Sequence, residues 1–386
     1  MNNQNTIHLL KAQAGDCFLI QFEDKKCILI DSGYKCTYDN ELKPLLLKLS
    51  RQNYRISLFI VTHYDEDHIG GAIAFIKDNG YSNIPKIIPV DNIWFNGIYS
   101  LIESSSLLKS HIFDHLSDRD RCRFRVLWDQ LYRRVGDGDG YISATQAEQF
   151  EQLCNQNNYK LNSDASRGCI ISGTEMSIGD CYIKCLNPHS TQLKRLENWI
   201  NKQCIECLGE DYTLENSSSP SFFKTLLIAN GKDDTGAVSN ELISYNQVDV
   251  SKWIGTSTLS PMNEVNRASI VVEILYKGKS LLFTGDSESE DWIDEARSSY
   301  DFVKISHHGT TKPNLKLIER VRFRNAIIST NGRRYHPEDE LLAQLLLNRV
   351  QRIYFNYDDL RRKDELIALQ DKYSCSVFFG QNQISF

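Results

Sequence analysis

No stretch of the sequence is apolar for long enough to span a bilayer. The opening MNNQNTIHLL lacks the charged start and long apolar core of a secretory signal. Both absences lead us to expect a cytoplasmic protein with no membrane partner. A charge excess is missing too. Lys and Arg number 44 against 50 Asp and Glu, a net charge of −6, so the surface as a whole does not attract nucleic acid. A polyanion would have to be held by a local basic patch or by metal ions. No repeat of solenoid period is visible. Cysteine is not scarce, but its count of 11 is odd and the residues are scattered through apolar segments, as at Cys17, Cys27, Cys181 and Cys185. That pattern fits reduced, buried thiols rather than a disulfide framework. Cys204-x-x-Cys207 has no second pair at zinc-finger spacing.

What is present is an ordinary globular composition, 41% apolar and 24% charged. With 386 residues, this implies one catalytic domain with a large insertion, or two domains. Short apolar, β-branched runs at 7–10, 17–22 and 27–30 read as strands, separated by Gly15-Asp16 and by Glu23 to Lys26. An amphipathic helix is expected over 40–52 and a buried strand over 58–61. Gly70-Gly71 then opens a helix over 72–79. Residues 92–165 are polar, with helical pattern and little strand character. Strand pattern returns at 169–187, and residues 190–265 are again polar and Ser/Asn-rich. From Ser269 onward a hairpin (270–276 and 280–284), a helix near 289–298, strands at 302–305, 325–329, 352–355 and 375–379 and a helix over 337–348 complete the chain.

One run carries chemistry. His63, Asp65, Asp67 and His68 lie within six residues, directly after the buried strand 58–61. Two aspartates so close together beside a core strand would repel one another unless a cation lay between them. Imidazole and carboxylate ligands suit zinc, manganese or iron. Three later sites have the same form. Asp31 ends the strand Ile28-Leu29-Ile30, Asp286 follows Leu281 to Gly285, and His307-His308 follows Val303 to Ser306. Polar groups at the same ends of several strands are where a sheet fold places its active site.

Together these residues resemble the metallo-β-lactamase superfamily, whose hallmark is His-x-His-x-Asp-His after a strand, then Gly-Asp, then a distal histidine. Asp65 stands in the second histidine position. This departure resembles the branch that contains the nuclease domain of ComEC-type DNA-uptake proteins. Ala14-Gly15-Asp16, Thr62 to Gly71 (THYDEDHIGG), Asn266 to Val271, Ser306 to Thr310 and Tyr335-His336-Pro337 resemble segments of that branch. The match covers roughly 6–90, 169–188 and 266–386, and the membrane channel of the uptake proteins has no counterpart.

The resemblance implies an α/β fold, the αββα sandwich of the metallo-β-lactamases, with largely helical insertions. Its first half would span 1–90, followed by a helical insertion over 91–168. A return to the core over 169–189 and a second insertion over 190–265 would precede the second half at 266–386. It also implies two divalent metal ions, manganese or zinc. One would be held by His63, Asp65 and Asp286, the other by Asp67, His68, Asp286 and one of the distal pair, His308 by its place in the pattern. Asp65 and Asn266, in place of histidines, make the first site richer in oxygen and favour manganese. Asp67, His307 and His336 would take catalytic roles. Asp31, Asn266 and Ser269 would support the ligands from behind. The implied activity is that of a phosphodiesterase acting on DNA, a free nuclease of the kind used in bacterial defence and released by a sensor partner. The alternative is a hydrolase of a small ester: a cyclic nucleotide, a phosphorylcholine ester or a lactone.

Other signals have plainer readings. Asp137 to Ile142 looks like a calcium loop, but the register places Val135 first and Gln146 where a bidentate Glu is needed. His111, Asp114 and His115 share a helical face without a third ligand in view. Residues 119–134, basic with interleaved aromatics, carry their own neutralising acids Asp118, Asp120 and Asp129.

Overall fold

The computed structural model describes residues 5–97, 100–101, 143–165, 168–208, 249–257 and 262–386. The calcium-like loop at 137–142, the histidines at 111 and 115 and the basic run at 119–134 lie outside the described residues.

Two sheets form the centre. The first contains β1 (Thr6–Leu9), β2 (Phe18–Gln21), β3 (Lys26–Ile30), β4 (Arg55–Ile60) and β5 (Ile93–Trp94). The second contains β6 (Glu175–Ile178), β7 (Cys181–Asn187), β8 (Val271–Tyr276), β9 (Lys279–Phe283), β10 (Ser299–Lys304), β11 (Arg322–Ile328), β12 (Arg352–Phe355) and β13 (Ser376–Phe378). The last strand, β14 (Gln383–Ser385), returns to the first sheet and pairs with β1, giving the orders β14-β1-β2-β3-β4-β5 and β13-β12-β11-β10-β9-β8-β7-β6. Strands β3 to β5 are parallel to one another, as are β9 to β13.

The period of two along each strand divides its side chains between two cores. Ile7, Leu9, Ile28 and Ile30 face the second sheet and pack with Ile183, Val272 and Phe283. Cys27 and Leu29, one residue out of phase, face the outer helices. Each side chain so enclosed contributes roughly 1.5–3 kcal/mol relative to exposure. Helices α1 (Lys43–Arg51), α2 (Glu66–Asn79), α3 (Ser143–Gln156) and α4 (Ser190–Leu208) cover the first sheet. After the short α5 (Glu264–Arg267), helices α6 (Leu315–Arg320), α7 (Asp339–Leu347) and α8 (Lys363–Tyr373) cover the second. The result is the expected αββα sandwich. Among the described residues no helix is long and apolar enough to cross a membrane.

Several local readings change. Helix α2 begins at Glu66, not after Gly70-Gly71, so Asp67 and His68 sit in its first turn. The two glycines lie inside the helix because it runs against the β3 loop: a Cβ on Gly71 would overlap the Ser32 carbonyl. The expected helix at 289–298 is two short 3₁₀ turns, Ser289–Asp291 and Ile293–Glu295. Among the described residues of 91–168, Ile93 of β5, Phe95 after it, and Ala147, Phe150 and Cys154 of α3 join the core of the first sheet. Cys17, Cys27, Cys36, Cys154, Cys169, Cys181, Cys185 and Cys375 carry no disulfide. Burial raises the thiol pKa at Cys17, Cys27 and Cys185, and Cys181 is pushed up to about 12.

The close approach at Gly71 generates a test. Gly71→Ala should push α2 away from β3 and cost about 1–3 kcal/mol in urea unfolding, the range of an overpacked core position. Unchanged stability would mean that the helix does not need this contact.

Candidate metal centre

The carboxyl ends of the parallel strands converge on one point. Asp31 follows β3, Thr62 and His63 follow β4, Asp286 follows β9, and His307 and His308 follow β10. Four residues in three of these turns use left-handed backbone: Asp31 (φ 54°), Gly285 (φ 52°), His307 (φ 49°) and His308 (φ 54°). Three of the four are not glycine, a strained choice that bends the chain sharply and aims side chains back over the strand ends.

His63, His68, Asp286 and His308 are buried at this point. His68 Nε2 lies 3.4 Å from Asp286 Oδ2 and 3.9 Å from Asp67 Oδ1. His308 Nε2 lies 3.2 Å from Asp286 Oδ2 and 3.5 Å from Asp67 Oδ2. Asp65 occupies the N-cap position of α2 but makes no capping hydrogen bond; its Oδ2 stands 3.7 Å from His63 Nε2. Candidate ligand atoms of His63, His68 and Asp286 group together, as do those of Asp67, His68 and His308.

Supporting residues fix these orientations. Asp31 accepts from the Thr62 N–H at 2.7 Å and from its hydroxyl at 2.8 Å, and its Oδ2 is 2.9 Å from His68 Nδ1. That contact turns His68 Nε2 toward Asp286. Thr62 Oγ1 similarly lies 3.0 Å from His63 Nδ1. His308 Nδ1 is 3.2 Å from the Ser329 carbonyl. The Ser269 hydroxyl accepts from the Asp286 N–H at 3.3 Å. Asn266 Nδ2 is 3.4 Å from His307 Nε2. His307 reaches Asp286 only at 4.0 Å and is partly exposed. The His336 ring lies 5.6 Å from the His307 ring, and both imidazoles approach the Thr310 hydroxyl. Every residue of the expected set is therefore in or beside the cluster, with His307, His336 and Asp65 at its rim.

Two further residues belong to the cluster: Lys304, which sequence reasoning passed over, and Asp16, which it noted in Ala14-Gly15-Asp16 without a role at the site. Lys304, on β10, is buried, forms an ion pair with Asp16, lies 3.3 Å from Asp286 Oδ1 and donates to the Gly285 carbonyl at 2.7 Å. Asp16 also stands 3.5 Å from His308 Nδ1. It reaches this point because the loop before β2 crosses from one sheet to the other. The Asp16 N–H donates to the Asp67 carbonyl at 3.2 Å, and the Ser329 hydroxyl donates to the Gly15 carbonyl at 2.7 Å. Gly15 permits the approach, since a Cβ there would overlap the Asp67 carbonyl. For Lys304 the only sequence signal was position: it alternates in phase with Phe302 and directly precedes Ile305-Ser306-His307.

The donor set fits divalent metal. The Nε2 atoms of His63, His68 and His308 are all buried without a hydrogen-bond partner, and all three rings face carboxylates. Buried polar atoms left unsatisfied are costly, and a cation is what these imidazole and carboxylate atoms have in common as a partner. The electrostatics agree. Burial opposes charge on Asp286, yet His308, His68 and Lys304 hold its carboxyl well below the usual range. Burial would also lower His68 and His308. The surrounding carboxylates, Asp286 foremost, reverse this and raise both imidazoles well above the ordinary value. His307 goes the other way, lowered by burial.

These features generate two tests. Lys304→Met leaves Asp16 and Asp286 buried without their shared cation, which should cost about 3–5 kcal/mol in chemical denaturation without added metal. A neutral result would show that the ammonium is not needed there. Protons and metal should also compete for His68 and His308. Affinity for Mn²⁺ or Zn²⁺ is expected to rise from about pH 6 to about pH 8 with release of protons, measured by calorimetry in buffers of different ionisation enthalpy. Affinity independent of pH would contradict placing cations against these imidazoles.

Comparison with known proteins follows the same lines. The family model described as "Metallo-beta-lactamase superfamily" matches residues 10–88. No curated protein has a sequence that matches the chain. Among solved structures, the metallo-beta-lactamase fold protein YhfI from Bacillus subtilis aligns at 10% identity and a TM-score of 0.38, covering 99% of each chain. Igni18, described as a novel metallo hydrolase from the archaeon Ignicoccus hospitalis, aligns at the same identity, score and coverage. Likeness at that level carries no functional weight. With two sheets enclosed by helices and the cluster at their strand ends, this chain has the metallo-β-lactamase fold, and its residues 10–88, which hold the 63–68 motif, carry the sequence pattern of that superfamily.

Proposed function

We propose that the chain is a metal-dependent hydrolase acting on phosphodiesters, with DNA as its substrate and two divalent cations, Mn²⁺ or Zn²⁺, as cofactors. Charge is the observation that supports this reading. Asp16, Asp31, Asp65, Asp67 and Asp286 bring five negative charges and Lys304 returns one. The remaining four would be cancelled by two divalent cations. A neutralised centre can accept an anionic phosphodiester, which the uncompensated carboxylates would repel.

His63, Asp65 and Asp286 would hold one cation, and Asp67, His68, Asp286 and His308 the other. Cations held there supply Lewis acidity and hydroxide near neutral pH. The chain's own groups do the rest. Asp31 and Thr62 lock the orientations of His68 and His63. Asp67, less deeply buried than Asp286, is placed to orient an attacking water. His307 and His336 share Thr310 at the rim, where they can hold a proton for the leaving oxygen. An unrestrained nuclease would attack the DNA of its own cell, so the proposal includes a sensor partner that releases the activity.

The test is relaxation of supercoiled plasmid with Mn²⁺. The wild type should cut, chelation should stop it, and Asp67→Ala should lower the rate by on the order of a hundredfold or more. Equal cutting by Asp67→Ala would remove this site from the activity. Turnover of a cyclic nucleotide, a phosphorylcholine ester or a lactone without any DNA cutting would replace the substrate assignment.

A further inference from the structure

At the opposite end of the second sheet, the amino ends of β9 to β13 line two adjoining grooves of about 890 and 830 Å³. The segment Leu346 to Gln351, between α7 and β12, forms their shared wall. Arg322 and Arg324 come from β11, Arg349 from the wall, Arg352 from β12 and Lys372 from the end of α8. All five are exposed; among the described residues none of the four arginines forms an ion pair with a carboxylate, while Lys372 acts electrostatically on Asp249. Of the acids in the first groove, Glu319 pairs with Lys316 at 2.9 Å, and Asp301 keeps its charge, accepting from the N–H and hydroxyl of Ser280. Arg320, also at the edge, is paired with Asp294.

Five cations against one unpaired groove carboxylate, Asp301, leave a local positive excess on a chain of net charge −6, more than solubility asks of a mixed surface. The backbone fixes the cluster. The Gln351 N–H donates to the Arg324 carbonyl and the Ser376 N–H to the Gln351 carbonyl, which holds the starts of β11, β12 and β13 side by side. Next to Arg352 and Ser376 along the same strands, Tyr354 and Phe378 stack with ring centroids 4.9 Å apart and planes 12° apart, and Phe378 is 36% exposed. Clustered cations near a partly exposed aromatic ring suit a chain that carries regular phosphates and planar bases.

We propose that these grooves are a nucleic-acid-binding surface, separate from the metal centre, that holds the sugar–phosphate backbone of DNA. The two lie at opposite ends of β11, roughly 20 Å apart at the rise of a strand. The surface would retain a long substrate without taking part in its hydrolysis. The proposal rests on the reading of DNA as substrate only for its biological use; the binding itself can be measured alone.

The test is fluorescence anisotropy of a labelled DNA strand over a range of salt, with the full chain and with the triple variant Arg324→Glu, Arg349→Glu, Arg352→Glu. Arg→Gln at the same positions serves as a second variant should the reversal unfold the protein. The expected result is binding weaker by roughly tenfold or more, with a salt dependence shallower by about 2–3 in log–log slope. Hydrolysis of bis(p-nitrophenyl) phosphate should be unchanged. Asp67→Ala should bind DNA like the wild type. DNA affinity unaltered by both triple variants overturns the proposal. So does equal binding of polyglutamate, which would assign the surface to an acidic protein. DNA held through the grooves but never cut would leave this surface standing and remove the nuclease reading. Cutting with affinity indifferent to the arginines would do the reverse.

Discussion

Repulsion between buried carboxylates organises the centre of this molecule. Asp16, Asp31, Asp67 and Asp286 come from four separate segments and meet within a few ångströms, most of them shielded from water. Such a group cannot stay ionised and packed without positive charge inside it. Lys304 supplies a part of that charge permanently, from a strand position that would ordinarily carry an apolar side chain. The unpartnered imidazole nitrogens mark where the rest must come from. In this sense Lys304 and the proposed cations would do one job. The covalent one keeps the acids near Asp16 tolerable at all times, and exchangeable ones would complete the balance beside the unpartnered imidazoles.

The two sheets are arranged to make that meeting happen. In each, parallel strands present their carboxyl ends in the same direction, so the residues that follow β3, β4, β9 and β10 arrive together. The loop before β2 then ties one half to the other, through Asp16 and Asp67 and through Gly15 and Ser329. Asn356, after β12, reinforces the tie by donating to the Leu10 carbonyl at 2.9 Å. Small residues are needed wherever these segments cross, as at Gly15 and Gly71.

Much of this was legible in the residues themselves. Alternation in β3 and the apolar run of β4 announced strands, and the density of ligand-type residues at 63–68 announced the centre. The rule that acids and histidines at strand ends belong together gathered Asp31, Asp286, His307 and His308. What escaped had no local signature. Lys304 looks like a strand residue facing solvent until the sheet above it is known, and Asp16 looks like a turn. The start of α2 was misplaced because Gly70-Gly71 reads as a break, whereas here the glycines are a packing surface. β5, two residues long, and β14, three, are too short for periodicity to register. Helix α8 has a weakly amphipathic pattern, with only Leu366 and Leu369 buried.

The crossing of the β2 loop has a consequence for when the centre exists. His63 to His68 are made early in synthesis, but their counterparts on β9 and β10 follow more than two hundred residues later. Until Lys304 is present and folded against Asp16, the acids of the early half have only His63 and His68 beside them and lack the buried ammonium. Contacts of such sequence separation form late and slowly in folding. The cluster is thus expected to be completed late in folding, and a partly made chain carries the candidate ligands of the first half without those of the second.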